Sequence, residues 1–342
     1  MKRLLLTITI VLCTQLISAQ WVRIGNDIDG KAAFDYSADT NSLSISGDGN
    51  VVAVGAPNND VNGNESGNVR IYKNINNVWT QIGDDINGAE GSDLLGNGID
   101  LSKNGNIIAI GESGNNNIKV FENINNTWIQ KGNNTSDINP VEGVGNDVAI
   151  NADGSRLATS VENAIILYYF INNQWVIGKV IELSGTRNSL TSATLEFNDA
   201  GDVLVVGNRQ YNGNNNGTED GRVLVYQEID NVWSQKGTSI ISNNNESYFG
   251  SSVDISGDGD IIILGSPHTE VDGFEQGGFV RTYKFENNDW QQIGSDIKGY
   301  ANQINFGRSV SLNNSGTILA IGADGSGNSG TSRGVARIYE FE

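Results

Sequence analysis

The sequence predicts an all-β protein, a six-bladed β-propeller of four-stranded antiparallel blades closed by the N-terminal strand completing the last blade. Three observations predict it. Six Trp residues recur in one local context, six hairpin sequences recur upstream of them, and the chain begins and ends on complementary fractions of a repeat.

The Trp residues stand at 21, 79, 128, 175, 233 and 290, in WVRIG, WTQIG, WIQKG, WVIGK, WSQKG and WQQIG. Seven residues before the last five lies an aromatic: Tyr72, Phe121, Tyr168, Tyr226 and Tyr283. Each intervening segment carries an Asn or Asp pair, Asn76-Asn77, Asn125-Asn126, Asn172-Asn173, Asp230-Asn231 or Asn287-Asn288. These residues tolerate the positive φ of a two-residue hairpin turn, so each segment reads as strand, tight turn, Trp strand.

A second hairpin precedes each pair, as in SLSISGDGNVVAVG and SVDISGDGDIIILG, with Gly49, Gly105, Gly154, Gly201, Gly259 or Gly316 in the turn. Every repeat is therefore four strands, A to D, and no segment shows a sustained helical period. The last repeat stops after its strand C at RIYEFE, whereas Trp21 opens a Trp strand with no strands A to C before it. Pairing these ends closes a ring and leaves no half-unit with an open edge.

The domain reading is a signal peptide over 1–20 and one propeller over 21–342. MKRLLLTITIVLCTQLISAQ has Lys2 and Arg3, a short apolar run and a small-residue exit at Ser18-Ala19. The run is shorter than the roughly 20 residues a bilayer span needs, so secretion to the extracellular space or cell surface is expected. Cleavage there removes Cys13 and Met1, the single Cys and Met.

Composition narrows the function. With 40 Asp plus Glu against 21 Lys plus Arg, the net charge of -19 disfavours nucleic acid and anionic membranes. The 43 Gly and 47 Asn fall largely in turns, and 37% apolar content argues against disorder. His268, the single His, leaves histidine-based chemistry without partners.

Phe249-Gly250 followed by Gly265-Ser266-Pro267, Phe306-Gly307 followed by Gly322-Ala323, and Gly55-Ala56-Pro57 resemble the FG-GAP repeat of integrin α-subunit N-terminal propellers and secreted bacterial surface proteins. The resemblance implies a β-propeller, adhesion and calcium loops of the form D-x-D-x-D-G in A to B connections. None of the six connections has that form; SGDGD at 256–260 and SGDGN at 46–50 read as ordinary turns. Integrin propellers have seven blades, against six units here.

B to C and D to A connections share one face of a propeller. The B to C loops are long in units 4, 5, 6 and 1, a contiguous crescent once the ring closes. Candidate ligand-binding residues on it are Asn64, Glu65, Asn214, Asn216, Glu219, Asp220, His268, Glu270, Asp272, Glu275, Asp324 and Asn328. Asp60, Asn62 and Asn64 alternate like the start of a calcium loop, with Ser66 and Asn68 continuing the pattern. Glu65 stands where such a loop needs Gly, and Ile71 where it needs a closing Glu. Ca2+ is thus the candidate cofactor, weighed against a solvated Asn and Gly turn.

A second acidic set, Asp100, Glu196 and Asp254, occupies one position of strand A, where other units have Ser44, Ala149 and Ser311. If strand A lines the axis, these carboxylates wet a channel or hold a cation. The Trp residues, fixed in register, read as blade-to-blade packing, each ring contributing roughly 4 to 6 kcal/mol before costs. Asp27, Asp85 and Asp296 of the IGxDIxG segments read as turn residues.

The expectation is a monomeric, non-enzymatic binding or adhesion module for an extracellular glycan or protein, with no nucleic-acid partner and no membrane insertion. The alternative is a secreted carbohydrate-active hydrolase or lyase using loop carboxylates.

Overall fold

The computed structural model describes residues 25–38, 41–138, 141–183, 190, 193–212, 220–242, 248–325 and 334–341. Among them, six antiparallel sheets follow one another around an axis as the blades of a β-propeller. Blade 1 comprises Leu43–Ile45, Val51–Ala56, Asn68–Ile75 and Val78–Gln81. Blade 2 comprises Leu95–Leu101, Ile107–Glu112, Asn117–Ile124 and Thr127–Gln130. Blade 3 comprises Val148–Ile150, Arg156–Val161, Ala164–Ile171 and Gln174–Glu182. Blade 4 comprises Thr194–Phe197, Val203–Asn208, Arg222–Ile229 and Val232–Gln235. Blade 5 comprises Ser252–Ile255, Ile261–Ser266, Phe279–Glu286 and Asp289–Lys298. Blade 6 shows Ser309–Leu312, Ile318–Ala323 and Val335–Glu340. Its expected fourth strand, at Trp21, lies outside the described residues, as does the expected signal peptide. The described helices are two short 3-10 turns, Ser113–Asn115 and Thr135–Asp137, neither long nor apolar enough to cross a membrane.

The turns follow from their residues. All five Asn or Asp pairs between strands C and D take positive φ at both positions, as in Asn76 (53°) and Asn77 (62°). That is the backbone of a type I′ hairpin, whose twist matches the strands it joins. At each A to B turn, the polar residue after strand A accepts the amide N–H five residues on. Ser46 takes Val51 (2.9 Å), Ser102 takes Ile107 (3.0 Å), and Asn151 takes Arg156 (2.9 Å). Asn198, Ser256 and Asn313 repeat the bond to Val203, Ile261 and Ile318, each at 2.9 Å. A single Ser or Asn thus closes each innermost hairpin.

The core lies between blades and is built from strands B and C, with Ala53, Ile71, Ile108, Leu167, Val205 and Ile262 fully buried. The Trp side chains tie one blade to the preceding one. Nε1 donates to a main-chain carbonyl there: Trp128 to Ile82 (2.9 Å), Trp175 to Lys131 (2.9 Å) and Trp290 to Lys236 (2.8 Å). Trp233 instead donates to the Tyr169 hydroxyl at 2.7 Å. Gly83, Gly132 and Gly237 lie flat on the edges of these rings, where a Cβ would come within 2.9 Å of Cδ1. Gly25 makes the same contact with Trp79 of blade 1, and the Asn26 side chain accepts the Trp79 amide at 3.1 Å. Residues 25–26 therefore sit where the tail of a preceding blade's Trp strand belongs.

A second set of glycines closes the seams nearer the axis. Gly55, Gly111, Gly207 and Gly265 each face the carbonyl oxygen of Gly96, Gly145, Gly250 or Gly307 in the following blade. A Cβ on the first member would lie 2.0 to 2.3 Å from that oxygen. Buried Ser160 takes this place in blade 3. Leu95, Phe249 and Phe306, preceding Gly96, Gly250 and Gly307, are wholly buried in the same seams.

The sixth seam differs. Leu43 and Ile45 on strand A of blade 1 are 57% and 56% exposed, while their counterparts in blades 2 to 4, Ile99, Leu101, Val148, Ile150, Leu195 and Phe197, are at most 6% exposed, and Val253, Val310 and Leu312 in blades 5 and 6 are partly buried. Phe34, Tyr36, Ile318 and Phe341 are likewise exposed.

Gly265→Ala is expected to cost 3 kcal/mol or more, about the penalty for an overpacked, strained core site. Gly49→Ala, with open space around it but φ of 72°, is expected to cost only about 1 kcal/mol of backbone strain. Chemical denaturation of the two variants checks the difference; equal losses would show that the seam contact does not matter.

Candidate functional site

Three features converge on the axis and on the face that carries the B to C and D to A loops. The first is the channel. The strands A of adjacent blades pack against one another, making them the innermost elements. As edge strands they present amide N–H groups without a ladder partner, and side chains of the neighbouring blade accept them. Ser44 Oγ accepts from Leu101 (3.0 Å), Asp100 from Ile150 (2.8 Å), Asp147 from Leu195 (2.8 Å) and Asp254 from Leu312 (2.6 Å). The acids are thus circumferential ties between blades.

Their mutual proximity has an electrostatic consequence. Burial raises the pKa of Asp100, Glu196 and Asp254, and the charges of the other channel acids push Asp100 and Glu196 up further. Asp100 and Asp254 stand on opposite blades of the ring, so this repulsion acts across the channel. Asp147 is pushed up to about 8, first by burial and then by Asp100. The strand A register foretells Asp100, Glu196 and Asp254, but it points to Ala149 in blade 3. Asp147, two residues earlier, supplies the carboxylate there. At one end of the axis Lys103 of blade 2 reaches Asp199 of blade 4 and Asn314 of blade 6, at 3.1 Å from the latter.

The second feature is a pair of tied loops. In blade 1, the Asn64 and Glu65 carbonyls accept the Ser92 and Leu94 amides (2.7 and 3.0 Å) of the following D to A connection. In blade 5, the Glu275 and Gln276 carbonyls accept those of Gln303 and Asn305 (2.7 and 3.1 Å). Asp60 accepts the Glu65 amide at 2.8 Å, and Asn62 donates its side-chain amide to the Gly88 carbonyl at 2.7 Å. The expected calcium ligands are therefore engaged in holding their own loop. Among the described residues no group of three or more His, Cys, Asp or Glu is placed to hold a metal ion.

Of the other expected site residues, Asp272 pairs with Lys298 at 2.7 Å, Glu270 is exposed, and the Glu275 main-chain N–H donates to the Asn302 side-chain oxygen (3.0 Å). Asp220 is wholly buried. His268 packs edge-on against Tyr248, ring centroids 4.8 Å apart, and Asp324 faces Arg308 at 3.6 Å. Asn214, Asn216, Glu219 and Asn328 lie outside the described residues. Asp85 and Asp296 do more than turn the chain. Asp85 accepts from Lys31, Asn68 and Gln81, and Asp296 makes a two-pronged ion pair with Arg281 at 2.7 and 2.6 Å.

The third feature is a polar cavity of about 450 Å³ between blades 1 and 2, lined by Glu90, Asp93, Glu112, Asn115, Asn117 and Lys119 among others. Glu112 binds Lys119 (2.6 Å) and Asn117 (2.8 Å), while Asp93 accepts the Ala89 and Glu90 amides and Asn115. Sequence reading misses it because the B to C loop of blade 2 is short. Only the fold brings residues 89–93 over strand C of blade 2.

No protein-family model matches the chain, and no curated protein matches it. Solved structures do. The β-propeller domain of Cps50 (Swd1) from Myceliophteria thermophila is similar at a TM-score of 0.55 and 10% identity, covering 88% of this chain and 83% of that one. Hydrazine synthase of Kuenenia stuttgartiensis gives 0.52 and 13%, covering 86% and 82%. The periplasmic gluconolactonase of Pseudomonas aeruginosa gives 0.51 and 14%, covering 87% and 85%. At these identities the likeness establishes the propeller fold alone.

The channel acids make stability fall with pH. A carboxyl whose folded pKa is raised binds its proton more tightly in the folded state, so stability declines from about pH 4, where the unfolded chain loses protons, up to the folded value. Asp147→Asn keeps the acceptor for Leu195 and is expected to gain stability over the wild-type chain progressively between pH 4 and pH 8, by up to about 5 kcal/mol, seen as a melting temperature that rises relative to wild type across that range. Melting curves across that range check it; a pH-independent effect would contradict the raised pKa.

Proposed function

We propose that the protein is a non-enzymatic binding or adhesion module of the cell exterior, recognising a glycan or protein through the B to C loop face of blades 4, 5, 6 and 1. The tied loops of blades 1 and 5 carry the reading. Each is held in place by two main-chain hydrogen bonds to the next blade, so these two loops are formed before a ligand arrives and little of their ordering entropy is lost on contact. Half-buried Glu65 and exposed Glu270, Asp272 and Glu275 stand on these loops, suited to accept hydroxyl or ammonium groups. The FG-GAP resemblance supports the same reading, since its Phe-Gly residues are the ones that lock the seams of this ring.

The chain is proposed to act as a monomer without nucleic-acid or membrane-inserted partners. Calcium is a possible aid rather than a requirement, because the blade 1 loop is closed by its own hydrogen bonds. The hydrolase or lyase reading draws on the loop carboxylates and on the likeness to two lactonase structures, and that likeness extends only to the fold.

Glycan and matrix-protein arrays probed with the purified chain test the proposal. Retention without product release is expected, reduced about fivefold or more by Glu270→Ala with Glu275→Ala at an unchanged melting temperature, an effect of about 1 kcal/mol. Release of a cleaved product would overturn it. Melting with added Ca2+ decides the metal question, no shift removing calcium from the proposal.

A further inference from the structure

An acidic chain places an uncommon group of cations on this same face, where blades 4, 5 and 6 meet. Arg209 follows strand B of blade 4, His268 follows strand B of blade 5, and Arg308 precedes strand A of blade 6. Burial lowers the His268 pKa first, and the charges of Arg308 and Arg209 lower it further, against an opposing pull from Asp324. The seams bring these three loop starts together: Gly207 meets Gly250, the Gly250 amide donates to the Gly265 carbonyl at 3.0 Å, and Gly265 meets Gly307. Tyr248 covers the imidazole.

The polar atoms here are incompletely satisfied. Arg209 Nε, Asn208 Nδ2, Asn212 Oδ1 and Asn305 Oδ1 are buried and without a hydrogen-bond partner. The other ends of two of these amides are engaged. Asn208 Oδ1 accepts the Gln210 amide at 3.2 Å, and Asn305 Nδ2 donates to Asp324 at 2.9 Å. Their orientation is thus fixed while one end stays open. A buried donor or acceptor left unmade costs about 1 to 3 kcal/mol, so an arrangement that leaves four on the loops of one face is one that a ligand completes.

The charges indicate which ligand. Arg308 is offset by Asp324 at 3.6 Å. Arg222, on strand C of blade 4, lies over the Tyr211 ring, 4.1 Å from its centroid. Among the described residues Arg209 makes no ion pair; its charge matches a single negative group better than a dianion, and a guanidinium suits a carboxylate through paired N–H donors.

Building on the binding reading above, we infer that the Arg209, Tyr248, His268 and Arg308 cluster is a subsite for the carboxylate of an acidic sugar, a uronate within a glycan. Arg209 holds the carboxylate. Asn208 donates to a ring or hydroxyl oxygen, and the open carbonyl oxygens of Asn212 and Asn305 accept sugar hydroxyls. Asp324 restrains Arg308 and so tunes the strength of the site.

Titration calorimetry of the full chain with tri-galacturonate, a neutral galacto-oligosaccharide and heparin tests the assignment. The wild-type chain is expected to prefer tri-galacturonate. Arg209→Gln should weaken that binding about tenfold or more, the loss of one charge-assisted contact, and leave the melting temperature unchanged. Asp324→Asn should strengthen it severalfold by releasing Arg308, a gain that a merely structural role for these residues would not produce. Unchanged affinity in Arg209→Gln, or weaker binding in Asp324→Asn, would overturn the subsite. Equal or tighter heparin binding would overturn the choice of carboxylate over sulfate. Binding of the neutral oligosaccharide alone would overturn the subsite while sparing the wider binding reading, and array silence towards every glycan and protein would sink that reading itself.

Discussion

The ring depends on a contact between two main chains. At four seams a glycine α-carbon of one blade meets a glycine carbonyl of the next, leaving no room for a Cβ. Blades that approach so closely bring their strands A together around a narrow axis and carry the D to A loop of one blade over the B to C loop of the blade before. The loop ties, the channel and the polar cavity between blades 1 and 2 all follow from that approach. Ser160, the replacement at the third seam, is still small, consistent with a limit set by volume.

This constraint explains why the fold is legible in the sequence. The Phe-Gly and Gly-x-Pro pieces are the two halves of the seam, the Asn pairs are the type I′ turns, and the Trp residues are the outer ties to the preceding blade. Each is a local requirement repeated six times or nearly so, and repetition makes it visible. The site is harder to read because it depends on differences between repeats. Asp147 departs from the register that marks Asp100, Glu196 and Asp254. Glu112 and Asp93 are 19 positions apart in the chain and meet only because blade 2 folds under the preceding loop. Arg209, His268 and Arg308 come from three blades, and no spacing rule links them. A signal existed in hindsight: long loops in an acidic chain that nevertheless carry arginine at the blade edge.

The acidic excess also acquires a partition. Some carboxylates are structural acceptors, as in the channel, where they bond the amides that an innermost edge strand leaves open. Others, such as Asp48, cap tight turns; hydrogen bonds from Asn50 and Ser46 hold its pKa down to about 2. The remainder stand on the loop face and set its character. Acids of one residue type therefore sit at both extremes of proton affinity in one ring, decided by whether burial or hydrogen bonding dominates.

The light packing of the sixth seam bears on how the ring comes apart. Where blades 2 to 4 bury their strand A side chains almost completely and blades 5 and 6 at least in part, Leu43 and Ile45 remain open to water, so separating blade 6 from blade 1 exposes little additional apolar surface. Thermal opening begins there, as a clasp rather than a fracture: the hoop loosens at one joint while five blades' worth of contacts persist. Amide hydrogens of strands A in blades 1 and 6 would exchange with solvent ahead of those in blades 2 to 5, giving a continuous ring a direction of unzipping.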